Sequence, residues 1–206
     1  MVQDMFIAGT DTIYKTIEWT MAELVKNPRE MAKVQSDVRQ VTSAEHRVVL
    51  EEELEKMSLL RAAIKEALRL HPPVPLLVPR ETIQDARLHG YDIPAKTRVL
   101  VNAWAIGRDG ESWENAEEFR PERFLSMPAV DYNSKDTRFI PFGAGRRGCP
   151  GVAFGTRLAE LTLANMMFHF NWELPVGQDP ESFEVLESSG LSPGLKSALI
   201  LVVKPQ

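Results

Sequence analysis

Apolar and small side chains recur at helical spacing through Met5, Phe6, Ala8, Gly9, Thr12, Ile13, Thr16, Ile17, Met21 and Leu24. Residues 5–26 are therefore expected to form one helix with a broad buried face. Ala8-Gly9-Thr10-Asp11-Thr12 sets a polar island in that face, and Gly9 costs a helix roughly 1 kcal/mol relative to alanine. Either the helix kinks there over back-bonded hydroxyls, or a groove opens in which a small molecule lies against the backbone while Asp11 and Thr12 handle protons. A second helix should start at once, with Asn27 as N-cap, Pro28 at the first helical position and Glu30 closing a capping box. Met31, Val34, Val38 and Val41 give its inner face. Residues 42–47 are expected to be loop, and 51–56 a short, acidic, solvated helical turn. Residues 59–70 carry Leu60, Ala63, Ile64, Ala67 and Leu68 on one side, and His71-Pro72-Pro73 stops that helix. Glu66 and Arg69, three apart, become neighbours on its surface.

Beyond the prolines the period falls to two. Residues 78–82, 87–91 and 98–104 suggest short strands, punctuated by Gly90 and Pro94-Ala95-Lys96. A short helix is expected over 103–109. An irregular, proline-interrupted stretch containing Pro121-Glu122-Arg123-Phe124 then runs to about Thr137. Helical spacing returns over 152–170, with Phe154, Leu158, Leu161 and Phe168 expected inward. Residues 172–203 suggest a strand, a loop around Ser188-Ser189-Gly190-Leu191 and a final strand. The fold class is mainly α with small β-sheets, without internal repeats.

Composition narrows the chemistry. An apolar fraction of 44% and a charged fraction of 26% are ordinary for a globular protein, and 206 residues can build a real core. A net charge of -5 without a Lys/Arg stripe argues against nucleic acid as partner. The single cysteine rules out an internal disulfide and a thiolate-rich zinc site, and the four histidines show no ligand spacing. The most apolar run, residues 198–203, is far short of the ~20 residues a spanning helix needs, so no membrane anchor is expected in this chain. No signal peptide is visible. Met5-Phe6-Ile7-Ala8-Gly9 has the character of the middle of a buried helix, so the chain is expected to be part of a longer one.

The lone Cys149 lies in a glycine-dense loop beside Arg146 and Arg147. A thiolate there is a soft ligand for one metal centre, the arginines suit a nearby anion, and the glycines admit a flat ligand close to the backbone. That combination suggests Cys149 as the axial ligand of a haem iron. Gly143, Gly145 and Gly148 also satisfy the dinucleotide fingerprint, but its context fails. Pro141 interrupts the strand it requires, Cys149-Pro150-Gly151 delays the helix, and the first carboxylate afterwards is Glu160. An inert buried cysteine would need neither the glycines nor Arg147.

The pattern Phe142, Gly145, Arg147, Cys149, Gly151 resembles the haem-thiolate loop of the cytochromes P450. Ala8-Gly9-Thr10-Asp11-Thr12 resembles the family's oxygen-activating segment. Glu66 and Arg69 match its Glu-x-x-Arg pair, and Arg123 matches the third member of its buried triad. All stand in the family's order, and the likeness runs nearly the length of the chain. Leu70-His71-Pro72-Pro73 and the loop's Pro141-Phe142-Gly143-Ala144-Gly145-Arg146-Arg147 look most like plant microsomal members acting on specialised metabolites.

The resemblance implies that residues 1–206 are the C-terminal part of a single cytochrome P450 domain. It implies a haem held by Cys149, with Phe142 and Gly143 beside the sulfur and Arg147 and Arg80 on the propionates. Asp11 and Thr12 would be catalytic, while Phe6, Ala8, Val74, Leu77 and Leu191 would touch a small apolar organic substrate. The reaction would consume O2 and electrons from NADPH-cytochrome P450 reductase at the cytosolic face of the endoplasmic reticulum membrane. Ile13 stands where many members place a second Thr or Ser, but the principal threonine is intact. Members are more than twice as long, so the alternative is a truncated, non-catalytic product that does not retain haem. A haem sensor or carrier would not need Asp11 and Thr12.

Overall fold

The computed structural model describes residues 2–42, 48–133 and 135–206. Helix α1 (Val2–Lys26) is continuous through the polar island. Thr12, Thr16 and Thr20 each donate to the carbonyl four residues back, at 2.7, 2.9 and 2.7 Å, so the hydroxyls are satisfied within the helix. Burial covers only its later part, where Trp19, Met21, Ala22 and Leu24 are almost fully enclosed. Met5, Phe6 and Ile7 are 71%, 69% and 74% exposed, against the expectation of a buried start. Periodicity shows which side of a helix could be covered; it does not supply the neighbour that covers it.

One residue separates α1 from α2 (Pro28–Val41), and this overturns the expected capping box. Asn27 occupies the N-cap position without a side-chain cap, and its amide instead donates to the Glu23 carbonyl at 2.8 Å. With the junction so short, the last carbonyls of α1 take the donor first. Glu30 pairs with Lys33 at 2.9 Å. Of the loop expected at 42–47, residues 43–47 lie outside the described residues. The turn Glu51–Lys56 is a 3-10 helix, and it is less solvated than its acidity suggests. Leu54 is fully buried, and the buried Glu53 accepts the Leu50 N–H at 2.8 Å.

Helix α3 (Ser58–Leu70) is the centre of the core. Leu60, Ala63, Ile64, Ala67 and Leu68 are buried as expected, and so are Ala62, Glu66, Arg69 and Leu70. Helices α1, α2, α5 (Glu122–Ser126) and α6 (Val152–His169) pack around it.

The strands form three two-stranded antiparallel ladders: β1 (Arg80–Glu81) with β4 (Arg98–Val99), β2 (Ala86–Leu88) with β3 (Tyr91–Ile93), and β5 (Phe170–Glu173) with β6 (Val202–Pro205). They are shorter than expected. The segment 87–91 is not one strand, because His89 and Gly90 take φ of 49° and 88° and turn it into a hairpin. Trp104 belongs to α4 (Ala103–Gly107), not to the preceding strand. In α6 the inward face is Val152, Ala159, Leu163, Ala164 and Met167, whereas Phe154 and Leu158 are exposed. That helix is apolar on nearly every side, so spacing could not select the buried one.

The tail is fastened to the helices through His71. Its ring stacks on Trp19 with centroids 3.9 Å apart, and its nitrogens lie 2.8 Å from a Glu23 carboxylate oxygen and 3.0 Å from one of Glu187. The hydrogen bond with His71 holds the Glu187 carboxyl below its usual range despite partial burial. A depressed folded-state pKa stabilises above the unfolded value, about 4.3 for Glu, and that contribution is lost as pH falls through the folded value. Acidification below about pH 4.3 should therefore loosen the tail, a change readable in Trp19 fluorescence. Glu187→Gln should abolish that acid transition; persistence of the transition would assign it to another group.

Candidate active site

The cysteine loop is shaped by its glycines. Gly143 and Gly145 both take φ of 71°, a region costly for other residues, and a 3-10 turn (Gly145–Arg147) follows. The Cys149 N–H donates to the Phe142 carbonyl at 2.9 Å and closes the loop on itself. The thiol is left exposed, and the Gly151 N–H donates to its sulfur at 3.3 Å. Gly151 is also the N-cap of the 18-residue α6. A backbone donor and a helix N-terminus therefore both lie at this sulfur.

Other elements close in on the loop. Arg80, on β1, donates to the Arg147 carbonyl at 3.3 Å. A Cβ placed on Gly143 would lie 3.9 Å from Leu77 and 4.0 Å from the Arg80 guanidinium. Val74 begins the turn that carries Leu77, its carbonyl accepting the Leu77 N–H at 3.0 Å. Phe142 meets Tyr132 edge-on, with centroids 5.6 Å apart. Tyr132, Phe139, Phe124 and Trp113 continue as an aromatic row, successive centroids 6.0, 5.0 and 5.7 Å apart. Burial pushes the Tyr132 phenol well above its usual range, so it stays neutral. The tyrosine lies in the irregular stretch, where no period marks a core position, and the sequence offered no signal for it.

The row ends at Arg69, whose guanidinium lies 5.3 Å from the Trp113 ring centre. The Glu66–Arg69 pair is fully buried, not superficial as its spacing suggested. Arg69 grips Glu66 with two bonds of 2.8 Å, and Arg123 adds a third of 2.8 Å. Further guanidinium N–H groups hold backbone carbonyls. Arg69 reaches Gly107, Ala116 and Glu118, and Arg123 reaches Glu114, Asn115 and Glu118. These carbonyls have no sheet partners, so side-chain donors replace the ladder a strand would have provided. The irregular segment is thereby fixed under the aromatic row.

On the other side stands the polar island of α1. Thr12 is half-buried, with its hydroxyl bonded to Ala8; Asp11 pairs with Lys15 at 2.7 Å. The Lys15 hydrogen bond outweighs partial burial and holds the Asp11 carboxyl below its usual range. Lys15 was passed over in the sequence, although its spacing of four from Asp11 signals a helical ion pair. A Cβ on Gly155 would lie 3.7 Å from Ile13, so the turn carrying Thr12 packs on the first turn of α6, just beyond the cysteine loop.

The expected substrate residues fall into two groups. Leu77 is buried beside the loop with Val74 in the same turn, whereas Phe6, Ala8 and Leu191 are exposed along α1 and on the tail. A separate open cleft of about 460 Å³, lined by residues including Ile17, Met21, Met166, Trp172, Leu199 and Leu201, includes none of them. Among the described residues no group of three or more His, Cys, Asp or Glu could hold a metal ion, and no helix is long and apolar enough to cross a membrane.

Residues 1–199 match the family model described as Cytochrome P450. The chain is 53% identical over 204 residues to Cytochrome P450 71A1 of Persea americana, covering 99% of this chain and 40% of that protein. It is 49% identical over 202 residues to costunolide synthase of Cichorium intybus, covering 98% and 40%. A zebra fish cytochrome P450 solved with abiraterone superposes with a TM-score of 0.88 at 29% identity, over 100% of this chain and 46% of that one. The same comparison with a progesterone-bound structure gives 0.85 at 30% identity, over 98% and 44%. The chain thus spans about 40% of the length of these curated relatives.

Proposed function

Because this chain belongs to the cytochrome P450 family, we propose that the whole protein is a haem-thiolate monooxygenase of plant specialised metabolism. Residues 1–206 form the C-terminal part of its single catalytic domain. The observation that carries this function is the exposed Cys149 sulfur, presented by a glycine-shaped loop, bonded by the Gly151 N–H and seated at the start of α6.

The residues present fit a haem. One thiolate with a backbone donor is the ligand set of a cysteine-bound iron porphyrin. Arg80 brings its guanidinium to the loop beside Gly143, and Arg147, whose carbonyl it holds, supplies the second positive charge of the loop for the two anionic carboxylates. Phe142 shields the inner side of the loop through its contact with Tyr132. Once bound, the haem supplies the activation of O2 that oxidises the substrate.

The chain's own groups handle protons and orientation. The Asp11 carboxylate is 49% exposed and ionised, so it can exchange protons with water. Thr12, the next residue, is half-buried and offers its hydroxyl as the following station. Phe6, Ala8, Val74 and Leu191 present apolar surface to a small organic substrate, and Leu77, buried against the cysteine loop, backs that wall. Electrons come from NADPH-cytochrome P450 reductase, at the cytosolic face of the endoplasmic reticulum membrane.

The test is the carbon monoxide spectrum of the reduced, haem-loaded full-length protein. A Soret band at the thiolate-type position, lost in Cys149→Ala, is the expected result. Retention of the band or of substrate turnover in Cys149→Ala would remove Cys149 as the ligand.

A further inference from the structure

Lys15 lies one turn beyond Asp11 on α1, and its side chain is only 11% exposed. An ammonium has three N–H donors and no acceptor. All three are used here: by Asp11 at 2.7 Å, by the Ser192 hydroxyl at 3.0 Å and by the Ser192 carbonyl. Enclosing a long, strongly hydrated side chain is costly, and charge-assisted bonds of this kind offset that cost.

Ser192 belongs to a tail loop that closes on itself. The Ser188 N–H donates to the Gly194 carbonyl at 2.9 Å, and the Lys196 N–H to the Leu186 carbonyl at 2.8 Å. Glu18 and Trp19 hold the same loop from α1. Glu18 accepts the Leu195 N–H at 3.4 Å, and the Trp19 indole donates to the Pro193 carbonyl at 3.5 Å. Leu191, 68% exposed, is next to Ser192. One cation therefore grips both the carboxylate assigned to proton handling and the loop assigned to the substrate wall.

We propose that Lys15 is a positioning residue that sets the Asp11 carboxylate and the Leu191-bearing loop in one fixed arrangement. The inference rests on the haem-thiolate function proposed above. The titratable groups around it are Asp11, Tyr14 and Glu18 on α1, with Tyr14 donating to Glu18 at 3.1 Å. Glu187, bound to His71, stands at the base of the loop. Without the ammonium, the Asp11 carboxyl returns upward, so any step that needs it ionised fails at a higher pH than before.

The haem-loaded full-length protein with its reductase tests this in three forms: unsubstituted, Lys15→Met and Lys15→Arg. In Lys15→Met the acid limb of the kcat profile should move to higher pH, with peroxide released per NADPH rising. Hydrogen exchange at the Ser188 and Lys196 amides, whose bonds close the loop, should accelerate roughly tenfold, the scale of one lost charge-assisted bond. Lys15→Arg, which keeps the charge, should restore the acid limb, and the carbon monoxide spectrum should be the same in all three. Unchanged acid limb and exchange in Lys15→Met would overturn the proposal. So would accelerated exchange alone, which would leave Lys15 a merely structural fastener. Absence of the thiolate-type band from the unsubstituted protein would instead overturn the haem-thiolate function.

Discussion

Glu66→Ala should cost about 3–5 kcal/mol of folding stability, the range for stripping one partner from a buried ion pair. Glu66 and Arg69 have no side-chain exposure, and Glu66 is the carboxylate for two guanidinium groups, those of Arg69 and Arg123. Without it, both positive charges stay in the core, and the Arg120 N–H, now 2.9 Å from Glu66, loses its acceptor. Domain stabilities are themselves about 5–15 kcal/mol, so this loss removes a large share of the total. Urea denaturation followed by circular dichroism measures the effect. A cost below about 1 kcal/mol, the value of an exposed pair, would show that the network does not hold the core.

The second large effect is expected at Gly107, the last residue of α4. An added Cβ would run into the Arg69 carbonyl oxygen, and that neighbour is backbone in the middle of the core. Alanine normally improves a helix by up to about 1 kcal/mol over glycine. Here the clash wins, because α4 must shift bodily, and Gly107→Ala should cost about 3 kcal/mol, the upper end for overpacking. The shift would also draw the Gly107 carbonyl away from the Arg69 guanidinium, now 2.5 Å away. The cost should therefore be non-additive with Glu66→Ala, since both act through Arg69. Gly110→Ala is the control: open space surrounds its Cβ position, so its unfolding midpoint should hardly move. Equal midpoints for the two variants would disprove the close approach.

The helices were legible because each repeats an apolar face over several turns, as α2 does through Met31, Val34 and Val38. Two-residue ladders such as β1 with β4 carry too little pattern to bound, and the turn at His89 and Gly90 split what alternation alone read as one strand. The cysteine loop was legible for a different reason. One cysteine among closely set glycines is a local arrangement, and the loop's backbone geometry, with Gly143 and Gly145 at positive φ, is local too. The covered side of α6 was not legible, since Phe154 and Ala159 are both apolar and only the neighbouring helices decide which is covered.

From its sequence alone this chain determined its helical segments, the glycine-shaped loop presenting Cys149 and, by resemblance, its family. Those properties depend on residues close together in the chain or on a motif read as a unit. Spacing alone left Glu66 on a surface and only the resemblance implied a buried triad with Arg69 and Arg123; tertiary structure alone decided that an aromatic row joins this network to Phe142. It alone decided that Lys15 reaches Ser192, 177 residues away. A charge is neutralised by whatever the fold brings within about 3 Å, and helical spacing fixes only the neighbours one turn away.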